Sequence, residues 1–156
     1  MKPEREIGRL LTDRGLTLAT AESCTGGLIA HKITNVPGSS NYFERGFIVY
    51  SNESKTELLG VKPGAIKRFG AVSRKVARAM AVGAKKASGA NFGLAVTGIA
   101  GPTADESKKP VGLVCIAVCA PDGSVAVEEH HFKGTRIQIK KQSAEGALRL
   151  LIRNIK

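Results

Sequence analysis

Thr17-Leu18-Ala19-Thr20-Ala21-Glu22-Ser23-Cys24-Thr25-Gly26-Gly27-Leu28-Ile29-Ala30-His31-Lys32-Ile33 is the stretch that decides the fold class. Thr17 to Ala21 is short and β-rich, Ser23 to Gly27 is a polar turn ending in paired glycines, and Leu28 to Ile33 has an apolar face at helical spacing. Strand, glycine turn and helix in that order is the repeating unit of layered α/β domains. Upstream, Ile7, Leu10 and Leu11 make a stripe on a helix that Gly15 closes. Downstream, Gly46 to Tyr50 is the next expected strand, followed by short helices over Lys55 to Leu59 and Pro63 to Phe69. Ser73 caps a longer helix to Ala87, with Val76, Met80 and Ala84 on one face, and Phe92 to Val96 reads as a buried strand. Val111 to Ala120 and Val125 to Phe132 flank Pro121-Asp122-Gly123-Ser124, a hairpin signal. Thr135 and Gln138 form a capping box that opens a last helix, where Ala144, Leu148 and Leu151 recur. The hairpin demands antiparallel pairing and the βα units parallel pairing, so the sheet is expected to be mixed, with helices on both faces.

The 156 residues carry 24 Lys plus Arg against 13 Asp plus Glu, a formal charge of +11, and 42% are hydrophobic. A chain this long buries roughly 68–70% of its unfolded surface, so it needs neither disulfides nor a metal to fold. One domain over residues 1–156 is expected, since no linker or repeat interrupts the chain. The N-terminal stretch lacks an uninterrupted apolar core, no apolar run approaches the ~20 residues of a membrane span, and Cys24, Cys115 and Cys119 match no zinc spacing. These features predict a cytoplasmic protein with no membrane association, and Cys115 and Cys119 as buried strand residues. The positive charge raises the possibility of nucleic-acid binding. Against it, the basic residues are scattered and only 4% of residues are aromatic, which leaves few stacking platforms.

Three segments fall where α/β sheets gather ligands, beyond the carboxyl ends of strands. In Glu22-Ser23-Cys24-Thr25-Gly26-Gly27 a serine at a strand-to-helix turn has the placement of a nucleophile, with N–H groups nearby for developing negative charge. A Ser or Thr there also serves as a plain helix cap, and the segment alone supports either reading. The paired glycines favour close approach of a ligand to the backbone. In Tyr50-Ser51-Asn52-Glu53-Ser54-Lys55, the lysine follows the strand end by about one helical turn, so its amine can reach back. It is either a base for a serine, which requires burial or a neighbouring cation, or a surface lysine paired with Glu53 or Glu57. Val96-Thr97-Gly98-Ile99-Ala100-Gly101-Pro102 is a third strand-to-glycine turn, weaker as a pattern than a P-loop. Arg136, after Gly134-Thr135, sits unfavourably for its helix dipole, which a bound anion compensates. His130 and His131 point to opposite faces of a strand and His31 stands alone, so no metal and no cofactor are expected.

The ordered set Ala21-Glu22-Ser23-Cys24-Thr25-Gly26-Gly27, Gly38-Ser39-Ser40, Phe43-Glu44-Arg45-Gly46, Tyr50-Ser51-Asn52 with Lys55, Gly70-Ala71-Val72-Ser73, Thr97 to Pro102 and Lys109-Pro110-Val111-Gly112 resembles the CinA C-terminal domain family over nearly the whole chain. The resemblance implies a three-layer α/β/α fold with a mixed, mostly parallel sheet, and a homodimer or higher homo-oligomer. It implies a nicotinamide-nucleotide amidase, which hydrolyses the carboxamide of nicotinamide mononucleotide to nicotinic acid mononucleotide and ammonia without a metal. On that reading Ser23 is the nucleophile, Lys55 its companion, and Tyr50 a further catalytic or orienting hydroxyl. Ser40, Thr97 and Arg136 correspond to substrate- or phosphate-binding positions. Cys24, Thr25, Gly26, Gly98 and Gly101 belong to the turns expected to line the substrate and supply oxyanion donors, with the phosphate against Arg136 and a helix N-terminus. The chain departs from the family at Ala104-Asp105, where a further Gly-Gly is usual, and the N-terminal domain of longer members, with its second activity, is expected to be missing. The competing reading is a non-catalytic nucleotide or nucleic-acid binding module on the same fold.

Overall fold

The computed structural model describes residues 1–156 and contains a five-stranded sheet with helices on both faces. In chain order the elements are α1 (Pro3–Arg14), β1 (Leu18–Glu22), α2 (Leu28–Thr34), a 3-10 turn (Ser39–Asn41), β2 (Phe43–Ile48), α3 (Asn52–Leu59), α4 (Pro63–Phe69), α5 (Arg74–Ser88), β3 (Phe92–Gly98), β4 (Leu113–Cys119), β5 (Val125–His131) and α6 (Arg136–Ile155). Local chemistry sets several ends. Gly15 adopts a left-handed conformation and returns its N–H to Leu11 and Thr12, which stops α1. Ser73 accepts from Val76 N–H to start α5, and Thr135 with Gln138 forms the full capping box on α6.

The strand order is β2-β1-β3-β4-β5. β1 pairs in parallel with both β2 and β3, while β4 is antiparallel to both its neighbours, so four strands share one direction and β4 alone is reversed. The sheet is therefore mixed and mostly parallel, in a three-layer α/β/α arrangement. One face carries α1, α2 and α6, whose Ile7, Leu11, Ile29, Leu148 and Leu151 pack on Leu18, Leu94, Val96, Ile116 and Val118. The other carries α3, α4 and α5, where Val76, Met80 and Ala84 pack on Ala21, Ala95, Cys115 and Ala117. Cys115 and Cys119 are buried in β4. No helix is long and apolar enough to cross a membrane.

Several boundaries differ from expectation: α3 begins at Asn52 rather than Lys55, β4 is shorter than Val111 to Ala120, and β2 is displaced. The strand read over Gly46 to Tyr50 runs from Phe43 to Ile48, in register with Leu18 through Glu22 of β1. β2 is an edge strand, and its Glu44, Arg45 and Gly46 face solvent, so its first half lacks the apolar signal by which strands are read. The frame matters for function because β1 lies between β2 and β3, and the chain leaves β1 for α2 on one face but reaches β3 from α5 on the other. That is a topological switch point, and the crevice beyond the carboxyl ends of β1 and β3 is the place where such sheets bind ligands.

Candidate active site

β1 ends at Glu22, and its buried carboxylate turns back under the following turn. It accepts the Thr25 hydroxyl at 2.6 Å and the N–H groups of Ile29 and Ala30 at 2.9 and 3.0 Å. The start of α2 is thus held by a side chain from the preceding strand, and Ser23 is fixed between that anchor and a hydrogen bond from its own N–H to Val96 O. Ser23 does not cap α2, because the capping role belongs to Glu22. The Cys24 N–H, immediately after the serine, donates to no protein acceptor.

Lys55 comes to Ser23 from the other side. Ser51 caps α3 by accepting from Ser54 N–H, and Lys55, one turn in, points its side chain back toward the strand ends. It is 1% exposed, which excludes the surface-lysine reading. Its Nζ lies 3.3 Å from Ser23 Oγ and donates to Val49 O at 2.9 Å, with Ser51 O and Tyr50 O at 3.4 and 3.5 Å. Burial pushes the Lys55 amine below the ordinary lysine value, and no carboxylate forms an ion pair with it. In the neutral form two N–H bonds go to backbone carbonyls and the lone pair is left for the serine hydroxyl, which then donates to Nζ. The neighbouring Cys24 thiol is pushed up to about 12 by burial, so it stays protonated and does not compete as a nucleophile.

The pair sits at the floor of a cavity of about 580 Å³ whose walls come from the β3–β4 connection, the Gly70–Val72 turn and the start of α6. Thr97 Oγ1 donates to Ala71 O at 2.8 Å, and Lys109 Nζ donates to Phe69 O and Val72 O at 2.8 and 2.6 Å. Both side chains therefore fix the Gly70–Val72 wall. Gly98 is bare by necessity, since a Cβ there would lie 3.1 Å from Cys24 Sγ and 2.7 Å from Val114. Arg136 closes the far side, donating to Gly101 O at 2.7 Å and to the Tyr50 hydroxyl at 3.0 Å.

Ser23, Cys24, Tyr50, Lys55, Thr97, Gly98, Gly101 and Arg136 all line this one cavity. Tyr50 is 61% exposed, and its hydroxyl addresses Arg136 while only its carbonyl approaches Lys55. Three expected residues stand elsewhere. The Thr25 hydroxyl is spent on Glu22, Gly26 is outside the cavity wall, and Ser40 precedes β2 at the opposite end of the strands from Ser23. The expected helix N-terminus for the phosphate is not the one after Ser23, because Glu22 occupies those donors. Ala104-Asp105, the departure from the family pattern, lies in an exposed loop on the rim, where Asp105 accepts from Ser107 N–H at 2.9 Å. No group of three or more His, Cys, Asp or Glu comes together to hold a metal, and His130 and His131 bond separately to Glu128 and Glu129. Sequence reading missed Glu22 as an anchor and Lys109 as a wall clamp; both stood inside quoted motifs, but their partners lie on other elements.

The CinA C-terminal domain model matches residues 1–155. The chain belongs to the CinA C-terminal domain family. Among relatives, a CinA-like protein of Chlorobium limicola is 48% identical over 94% of this chain and 35% of its own length. A relative in Moorella thermoacetica named for competence-damage inducibility is 50% identical over 98% of this chain and 37% of its own. The chain thus spans little more than a third of these curated relatives. Among solved structures, the competence/damage inducible protein CihA from Agrobacterium tumefaciens superposes with a TM-score of 0.92 at 44% identity, covering 99% of this chain and 96% of that one. A competence or damage-inducible protein from Enterobacter asburiae gives 0.95 at 29% identity, over 99% and 96%. The CinA fold is therefore shared along its full length.

Proposed function

We propose that this CinA domain is a nicotinamide-nucleotide amidase that cleaves the carboxamide of nicotinamide mononucleotide through a serine–lysine pair. The observation that carries the reading is the fully buried Lys55 amine 3.3 Å from Ser23 Oγ at the floor of an open cavity. A passive nucleotide or nucleic-acid module has no use for a buried, unpaired lysine on a serine, whereas an amide, a poor electrophile, requires an activated nucleophile.

In the proposed course, neutral Lys55 takes the Ser23 proton as Oγ attacks the carboxamide carbon. The oxyanion forms beside the free Cys24 N–H, the donor position next to a nucleophile at a strand-to-helix turn. The Lys55 ammonium returns its proton to the leaving nitrogen, the C–N bond breaks, and ammonia departs. Water, deprotonated by the same amine, attacks the Ser23 ester and releases the nicotinate product. Arg136, on the far wall, faces the phosphate end of the substrate.

Purified protein incubated with nicotinamide mononucleotide is expected to release ammonia and nicotinic acid mononucleotide. Ser23→Ala and Lys55→Ala are each expected to lower kcat/KM by about a thousandfold or more, in the range seen for removal of members of a nucleophile–base unit. Full activity in both variants, with circular dichroism showing an intact fold, sinks the mechanism. The same reading carries a homodimer or higher homo-oligomer in the cytoplasm, and sedimentation of the pure protein tests the assembly.

A further inference from the structure

Asp105 and Glu106 have no part in the reading above, yet both line the cavity that holds Ser23 and Lys55. They are its only carboxylates, and the other formal charges on its walls belong to Lys55 and Arg136. Glu22, beneath the turn, is saturated by Thr25, Ile29 and Ala30 and is not part of the wall. The loop that bears the two acids is tied down on both sides. Arg136 donates to Gly101 O at one end, and Lys109 at the other donates to Phe69 O and Val72 O. Between these ties Asp105 Oδ1 accepts the N–H and the hydroxyl of Ser107, which leaves Oδ2 without a partner. Glu106 forms no hydrogen bond and no ion pair with any protein group. Arg136 satisfies neither acid, because its donors go to Gly101 and Tyr50. Asp105 stands in the Ala104-Asp105 departure from the family pattern, where glycine is usual, so its charge is not part of that pattern.

A ring whose carboxamide reaches Ser23 must enter between these walls. Ala71, Val72, Ile99, Ala100 and the glycines beside them offer surface to any flat ring and do not sense its charge. Arg136, and Lys55 when protonated, repel a positive ring. Attraction to such a ring therefore comes only from Asp105 and Glu106, whose side chains stand exposed on the rim. A carboxylate facing a quaternary pyridinium nitrogen gains Coulomb energy without needing a hydrogen-bond donor, so it reads charge and not a donor pattern. Each exposed contact is modest in energy, but two acids act on one ring. Their attraction works at contact range, inside the screening length, so salt that weakens the long-range field leaves most of it in place.

We infer that Asp105 and Glu106 are specificity-determining residues of this cavity, which make it prefer a carboxamide on a cationic, N-substituted pyridinium to the same carboxamide on a neutral ring. The inference rests on the proposed amidase reading for its biological meaning but not for its test. The probes are 1-methylnicotinamide, a cation, and nicotinamide, its neutral counterpart; neither carries ribose or phosphate. Each is titrated by ligand-observed NMR into Ser23→Ala, which leaves the carboxamide uncleaved, and into the same variant carrying Asp105→Asn and Glu106→Gln. Ser23→Ala is expected to bind the cation about threefold to tenfold more tightly than the neutral ring, and the triple variant to bind the two about equally. Failure of the cation to bind, absence of a preference in Ser23→Ala, or the same preference in the triple variant overturns the inference. With Ser23 in place, kcat/KM is measured for nicotinamide mononucleotide and for its dihydropyridine form, which keeps carboxamide and phosphate but loses the ring charge. The ratio of the two is expected to fall by the same factor in Asp105→Asn/Glu106→Gln, chiefly through KM for the cationic substrate, and an unchanged ratio also overturns the inference. Absence of ammonia release from wild type, with the carboxylate-dependent preference intact, defeats the amidase reading and leaves the charge selection standing.

Discussion

At Lys55 the depth of the side chain fixes how the site responds to pH. A buried ammonium is disfavoured, so the amine titrates below the ~10.4 of a free lysine, and the neutral form is the one that accepts the serine proton. kcat/KM is therefore expected to rise with pH along a limb whose midpoint is below the ordinary lysine value and which disappears in Lys55→Ala. Stability carries the same signature. Between the lowered pKa and the ordinary value the unfolded chain binds the proton that the folded chain refuses, so this residue's contribution rises with pH across that window, and its cost is complete below it. Lys55→Met, which keeps the length and loses the charge, is expected to raise Tm at neutral pH while abolishing activity. Thermal melts across pH check the sign. A Tm below wild type at pH 7 would show that the lysine stabilises the fold. Ser23 and Lys55 were legible in the sequence because each ends a short run that leaves a strand, but their meeting was not, since 31 residues separate them and only the sheet brings the two strand ends together. Ser40 shows the converse: it has a suitable hydroxyl in a matching motif, yet it sits before β2 rather than after it.

At the scale of elements, α3 carries the base, and α5 decides where α3 lies. A Cβ on Gly83 would stand 2.1 Å from Leu59 O, the last carbonyl of α3, so the two backbones touch through a glycine. Gly83→Ala must push α3 off α5 and move Lys55 relative to Ser23. Displacements near 1 Å cost on the order of a hundredfold in rate, and overpacking of this kind costs about 1–3 kcal/mol. Both a lower Tm and a lower kcat are expected, with Gly64→Ala in α4 as the control, because its Cβ meets open space and alanine favours a helix. If Gly83→Ala leaves kcat untouched, α5 does not position the base. Glu22 plays the corresponding part for α2, and Glu22→Gln is expected to cost about 1–3 kcal/mol in denaturant melts through lost charge-assisted bonds to Thr25, Ile29 and Ala30. The helices are readable because Gly15, Ser73 and Thr135 announce their ends locally. β2 begins before its apolar run because Glu44 and Arg45 lie on an exposed edge that no pattern of burial marks. Neither Gly83 nor Glu22 announced itself, because each acts on a neighbour from another element.

Over the whole molecule, a formal charge of +11 surrounds a cavity whose proposed substrate is anionic at its phosphate end. The cations are spread over α5, α6 and the rim, and few are neutralised: Arg74 pairs with Glu129, Arg149 with Glu145 and Arg153 with Glu128. Such a field attracts a phosphate ester from beyond contact distance, and its reach is about 30 Å at 0.01 M salt but about 8 Å at 0.15 M. Raising the ionic strength across that range is expected to raise KM for the mononucleotide while leaving kcat unchanged, since Ser23 and Lys55 are buried and their contact is not screened. The riboside, which lacks the phosphate and keeps the cationic ring, is expected to show no such rise. This experiment also separates the two readings of the charge. A nucleic-acid module would bind duplex DNA with a steep salt dependence set by the number of phosphates neutralised, and would turn over neither nucleotide nor riboside. Competition of the mononucleotide reaction by DNA at low salt, without any effect of salt on KM in its absence, would assign the positive field to a polymeric partner instead of the substrate.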